Sequence, residues 1–328
     1  MRYGILYLGI LFIGALLTIT FSYRNTQVFS DKYDSSISVT SDKLNDLIRP
    51  AFYGFSSENA SVARDAYINA DEFTGSYAAL MINNETNEVV VAYNANKRIY
   101  PASMTKLMTS ILVAEAIESG KISLDDEITL THDITFKEDG AMKSDLTKGC
   151  KITVRNLLSG LMINSYNDYC VILGEVVAGD LSSFVEMMNN KAYEIGATNC
   201  HFMNPHGLDE HEHYITAYDM YLIVKEASKH SVLHEIDTYK SYTYSYIDAY
   251  GNKVEETITP TNQFLSGDSN LPSNIEIEAW KTGTTGGAGH CLAMIAKVNG
   301  TSYSFVVADG DSTEDLYNAY SLMFNMVR

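Results

Sequence analysis

One stretch constrains this chain more than any other: Pro101-Ala102-Ser103-Met104-Thr105-Lys106, followed by an apolar run with Leu107, Met108, Ile111, Leu112, Val113, Ala114, Ala116 and Ile117. The run is too long for a strand, and Gly120 stands where a helix C′ glycine would end it. Apolar residues fall on nearly every face, which predicts a helix buried inside a domain rather than lying on its surface. Ser103 is then expected in the first turn, with Lys106 three residues on along the same face. A buried helix has little structural reason to open on a stacked hydroxyl and amine. A serine hydroxyl is a weak nucleophile that needs a base within reach, and an amine serves as that base when burial lowers its pKa.

The flanking sequence predicts the scaffold. Tyr77 to Ile82 and Glu88 to Tyr93 are strand-like runs on either side of Asn83-Asn84-Glu85-Thr86-Asn87, a hairpin. Thr153 is the expected N-cap of a helix reaching Ile163, and Ser183 to Glu186 reads as a capping box opening a helix that stops at Gly196. Thr216 opens another. From Tyr239 the pattern alternates: Tyr242, Tyr244 and Tyr246, a turn at Gly251-Asn252, then Val254 to Ile258, as on a half-exposed sheet face. Two further strands, Cys291 to Ala296 and Tyr303 to Ala308, precede a last helix after Ser312. Strands at both ends around a helical middle predict an α+β domain, one antiparallel sheet assembled from both termini with helices packed on it.

Three polar clusters interrupt otherwise apolar elements: Ser103-x-x-Lys106, Ser165-x-Asn167 and Lys281-Thr282-Gly283. The first alone is weak, since chance supplies it often; all three in this order are specific. With them the chain resembles the serine D-alanyl-D-alanine carboxypeptidases, low-molecular-mass penicillin-binding proteins of the peptidase S11 family. The likeness runs from about Gly75 to Arg328 and includes Asn204-Pro-His-Gly-Leu-Asp209, His213 to Ala217 with Asp219, and Ala288 to Leu292. It implies a β-lactamase/transpeptidase-like fold, a five-stranded antiparallel sheet flanked by helices beside an all-helical region. It also implies catalytic roles for Ser103, Lys106, Ser165 and Asn167. Lys281, Thr282, Gly283 and Thr284 would form a substrate-binding strand, with the backbone N–H groups of Ser103 and Thr284 as oxyanion hole. Lys281, a second cation, is expected to help depress the Lys106 pKa. The implied reaction removes the terminal D-alanine of peptidoglycan stem peptides through an acyl-enzyme on Ser103, with β-lactams as covalent inhibitors and no cofactor. A D,D-endopeptidase with the same site, or a non-catalytic wall-binding scaffold, are the competing readings. A class A β-lactamase would need an E-x-x-L-N sequence between the second and third motifs, and Glu194 to Asn199 does not supply it. Trp280 stands where the family often has a smaller residue and is expected at the pocket rim.

Outside the likeness, residues 3–23 carry no charged side chain, about the length of a membrane span, with Arg2 before them. Residues 1–23 therefore read as an N-terminal anchor or signal peptide; length and the poor cleavage sequence Thr18 to Tyr23 favour an uncleaved anchor. Residues 24–70 read as a polar stalk and 71–328 as the catalytic domain, on the extracytoplasmic face of the membrane. The net charge of −18 excludes nucleic acid as a partner, because phosphates would be repelled. Four cysteines lack metal-binding spacing, and Cys170 and Cys291 read as small core residues. His206 to His213 is rich in histidine but lacks the helical spacing of a metal site, so no metal is expected.

Overall fold

A computed structural model describes residues 59–62, 67–71, 73, 77–138 and 141–328. The candidate span over residues 1–23 and most of the segment 24–70 lie outside the described residues. Among the described residues no helix is long and apolar enough to cross a membrane. The described end of the expected stalk is packed: Ala60 is buried, its N–H donates to the Tyr221 hydroxyl and its carbonyl accepts from Tyr218, and Ile68 bridges to Ala92.

The centre is an antiparallel sheet of β1 (Ala78–Asn83), β2 (Val89–Tyr93), β7 (Ile275–Thr285), β8 (Gly289–Val298) and β9 (Thr301–Gly310), in the order β2-β1-β9-β8-β7. The hairpin of one terminus thus meets the strands of the other, as their apolar runs predict. Both faces of this sheet are covered. Leu80, Ala293 and Val306 enter one core, and their neighbours Met81, Leu292 and Phe305 enter the other. Successive side chains of a strand point to opposite faces, so strands buried on both sides read as unbroken apolar runs.

On one face lie α1 (Lys106–Glu118), α2 (Val154–Ile163), α3 (Asn167–Ala178), α4 (Leu181–Glu194), α5 (Ala217–Ala227) and α6 (Ser231–Asp237). The other face is closed by α7 (Gln263–Ser266) and α8 (Thr313–Met326). α1 is buried along nearly its whole length, and Gly120 follows its C-cap at φ 72°. Thr153, Thr216 and Ser312 cap α2, α5 and α8 as their sequences predict. The expected Ser183 capping box is not the start of α4; Asp180 caps that helix three residues earlier, accepting from the Ser183 N–H. An aspartate after Gly179 offers the same acceptor chemistry as the serine.

One expectation is corrected in the topology. β5 (Tyr242–Ile247) and β6 (Lys253–Ile258) do not join the central sheet; with β3 (Glu127–Thr129) and β4 (Lys151–Thr153) they form a second, four-stranded sheet. Nor is the tyrosine face half-exposed, since Tyr244 and Tyr246 are buried against the helical region. Periodicity gives the strands but not which sheet they enter. All four cysteines are free, and Cys170 and Cys291 are core residues.

Candidate active site

Ser103 sits not in the α-helix but in a 3-10 turn, Ala102–Thr105, that leads into it; Lys106 is the first residue of α1. The 3-10 turn has three residues per turn, so positions i and i+3 eclipse each other, which stacks the two side chains even more directly than an α-helix would. Ala102 enters the turn at φ 46°, a left-handed conformation unusual for a residue with a Cβ.

Lys106 is fully buried. Its Nζ donates to Ser103 Oγ at 2.8 Å, to Asn167 Oδ1 at 2.6 Å and to the His206 carbonyl at 2.7 Å. Three N–H bonds therefore meet three acceptors. Burial lowers its pKa from 10.5 to about 8, against the opposing influence of Cys170 and Asp168.

The second motif lies between α2 and α3. Ser165 has φ 65°, and its hydroxyl oxygen is buried without a hydrogen-bond partner. Asn167 opens α3, its N–H donating to the Met142 carbonyl at 2.9 Å. The intervening Tyr166 is tethered to the second sheet: its hydroxyl donates to Glu256 Oε1 on β6. Tyr244 donates to the other oxygen of Glu256 at 2.5 Å and shares a 2.7 Å bond with Tyr169. Asp168 accepts from the Ser144 hydroxyl and N–H, fastening the preceding loop beside the site.

The third motif is on β7, the terminal strand of the central sheet. Lys281 is fully buried; burial, then the nearby Lys106 charge, lowers its pKa to about 7. The Lys106 depression comes from burial and not, as expected, from Lys281; the repulsion between the two amines adds to burial at Lys281 instead. Gly283 explains how close the strand comes: a Cβ there would lie 2.9 Å from the Ser103 nitrogen and 2.9 Å from the Ala102 Cβ. Only a residue without a side chain lets this main chain pass the Ser103 turn. Thr282 shares a 2.5 Å bond with Thr261, while Thr284 stands exposed near the end of the strand.

Trp280 is not at the rim. It is fully buried in the core cluster of Phe305, Tyr320 and Phe324, and its Nε1 donates to the Asp237 carbonyl at 3.0 Å. A bulge between Ile277 and Ala279 sets the alternation after it, so that Ala279 and Trp280 enter opposite cores. Sequence alone does not reveal that bulge.

The loop after α4 packs beneath the Ser103 turn. Gly207, at φ 94°, approaches so closely that a Cβ would sit 1.9 Å from the Ala102 carbonyl oxygen. His206 and His213 are structural. Burial lowers the pKa of each to about 3, aided at His206 by the Lys106 charge and at His213 by His201. His213 Nδ1 accepts from the Met203 N–H, so Nε2 carries the proton toward Thr105 Oγ1 at 2.9 Å. Asp209 ties this loop to the β7–β8 turn through Thr285 and Gly287.

Ser103, Lys106 and Asn167 are thus joined by direct hydrogen bonds, and Gly283 lies against Ser103. The family model described as D-alanyl-D-alanine carboxypeptidase, peptidase S11, matches residues 66–312, most of the chain. The chain belongs to the peptidase S11 family. Similar S11 sequences include D-alanyl-D-alanine carboxypeptidase DacF of Bacillus subtilis (strain 168), 36% identical over 244 residues, covering 74% of this chain and 59% of the relative. The chain therefore spans less than two thirds of that relative's length. Among solved structures, the Streptomyces K15 DD-transpeptidase is similar with a TM-score of 0.68 at 25% identity, covering 81% of this chain and 98% of that one. Penicillin-binding protein D2 from Listeria monocytogenes, in its cefotaxime-bound form, is similar with a TM-score of 0.64 at 26% identity, covering 76% and 95%. These neighbours share the α+β transpeptidase-like fold described above. Two supports of the S11 site escape sequence reasoning: the His206 carbonyl, which lies within a recognised stretch but acts through its backbone, and Glu256, for which no motif gives a signal.

Proposed function

We propose that this S11 chain is a serine D,D-carboxypeptidase, removing the terminal D-alanine from peptidoglycan pentapeptide stems through an acyl-enzyme on Ser103. The observation that carries the reading is the fully buried Lys106 amine 2.8 Å from the Ser103 hydroxyl. Asn167 Oδ1 and the His206 carbonyl are acceptors and take only hydrogens. Once Lys106 is neutral, its two N–H bonds go to them and its lone pair is left facing Ser103.

Ser103 Oγ then attacks the carbonyl carbon of the D-Ala-D-Ala bond as its proton passes to Lys106. The oxyanion would be held by the Ser103 and Thr284 N–H groups. The Ser165 hydroxyl, unpartnered in the free site, would pass a proton to the leaving amine. Water attacks the acyl-enzyme ester by the reverse proton path. Lys281, Thr282, Gly283 and Thr284 would bind the peptide as an added strand along β7, with Lys281 facing its terminal carboxylate. A β-lactam would acylate Ser103 in the same way. The protein would act on the extracytoplasmic face, held by residues 1–23, and the catalytic domain would span 71–328.

Incubation with a pentapeptide muropeptide followed by mass measurement tests the activity. Loss of one alanine is expected, abolished by Ser103→Ala; separation of a cross-linked dimer without that loss would make the enzyme an endopeptidase. Absence of both, with no fluorescent-penicillin labelling, would leave a scaffold.

The reading also sets a pH dependence. With one proton on the lysine pair the higher pKa of Lys106 keeps it mostly there, and activity draws on the minority arrangement with that proton on Lys281 and Lys106 neutral. Both are charged below about pH 7 and both are neutral above about pH 8. A bell-shaped kcat/KM profile with its maximum between these values is expected, and Lys281→Met should remove the alkaline limb. A wild-type rate that keeps rising past pH 9 would contradict this assignment.

A further inference from the structure

A second polar cluster lies at the end of α1 remote from Lys106. Glu115 of α1, Glu226 of α5 and His230, just past α5, each bring one potential ligand atom within 4.8 Å of the others. His230 is only 6% exposed. Its Nδ1 lies 2.8 Å from Glu118 Oε1, while its Nε2 is buried with no hydrogen-bond partner. In the tautomer that donates Nδ1–H to Glu118, Nε2 offers a lone pair, and it is the ring nitrogen left for the cluster. A carboxylate behind an imidazole in this way fixes the tautomer and orients the ring toward a metal.

Charge points the same way. Glu115 also holds Lys191 at 2.6 Å, Lys191 reaches Glu194 at 2.8 Å, and Glu226 holds Lys229 at 2.7 Å. In this linked set the four carboxylates Glu115, Glu118, Glu194 and Glu226 face two ammonium groups, leaving two negative charges for a dication. Each carboxylate has a second oxygen, so a lysine contact does not exhaust it.

We propose that Glu115, Glu226 and His230 form a binding site for a divalent transition-metal ion of the zinc type, with Glu118 orienting the histidine. One imidazole nitrogen and two carboxylate oxygens suit Zn²⁺, with water as fourth ligand, whereas Mg²⁺ prefers an all-oxygen octahedron. The bound ion would pin the C-terminal end of α1 to the end of α5. This inference is independent of the proposed peptidase activity.

Titration of the full, untagged chain with ZnCl₂ by calorimetry, alongside thermal unfolding, tests it. One ion per chain is expected, with Kd on the order of 1 μM or tighter. Tm should rise by on the order of 5 °C at a hundredfold excess over Kd, with no response to MgCl₂. Glu226→Gln and His230→Gln should each weaken binding at least about tenfold, and Glu118→Gln by about 10–100-fold. Circular dichroism establishes that each variant is folded; if His230→Gln is not, the partly exposed Glu226→Gln decides alone. No saturable binding below about 100 μM, or unchanged binding in Glu226→Gln, would overturn the proposal.

Discussion

Replacing Lys106 with methionine is expected to slow acylation by a fluorescent penicillin by about 10²–10⁴-fold while moving Tm only a few degrees. The two effects separate because different interactions set them. The proposed base is lost outright, and among the described residues no other group is hydrogen-bonded to Ser103 Oγ to replace it. Stability feels two opposing terms. The pKa fall from 10.5 to about 8 corresponds to roughly 3 kcal/mol held against the buried charge. Methionine removes that cost but leaves Asn167 Oδ1 and the His206 carbonyl without their donor, at about 1–3 kcal/mol each. These terms nearly cancel. Stopped-flow labelling with melting curves checks the outcome; near-normal acylation in Lys106→Met would remove Lys106 from the mechanism.

The second large effect is expected at Gly283. A methyl group there would meet the Ser103 nitrogen at 2.9 Å, and a backbone atom cannot swing aside as a side-chain tip can. Gly283→Ala should push β7 off the Ser103 turn, displacing the proposed oxyanion donors and lowering kcat/KM by about 10²–10³-fold. The β7–β8 pairing continues along the rest of the strand, so the fold should persist. The measurement is peptide turnover beside penicillin labelling. Wild-type rates in Gly283→Ala would show that β7 does not take part in oxyanion or substrate binding.

What the sequence discloses follows from what each signal measures. The burial of α1, the terminal hairpin, the caps at Thr153, Thr216 and Ser312, and strands β8 and β9 are written in periodicity and local hydrogen-bonding chemistry, whereas β7 enters only through the motif resemblance. The first two motif clusters are joined through Lys106, and the third lies on β7 against the Ser103 turn. Features set by tertiary context are not legible. Ser103 precedes the α-helix because Ala102 takes a left-handed turn. Trp280 enters its core after a bulge two residues earlier, and the tyrosine hairpin joins another sheet through β4, whose three residues are too short to show a period. Lys106's third acceptor is a backbone carbonyl, which any residue type supplies.

The bond from Tyr166 to Glu256 has its own consequence. The segment bearing Ser165 and Asn167 borrows its rigidity from a hairpin that belongs to a different sheet, away from Ser103. Two phenols converge on one carboxylate there, so the cleft's shape is partly inherited from a remote scaffold. Exchange of that hairpin between relatives would carry the cleft's geometry with it, even with every motif residue unchanged.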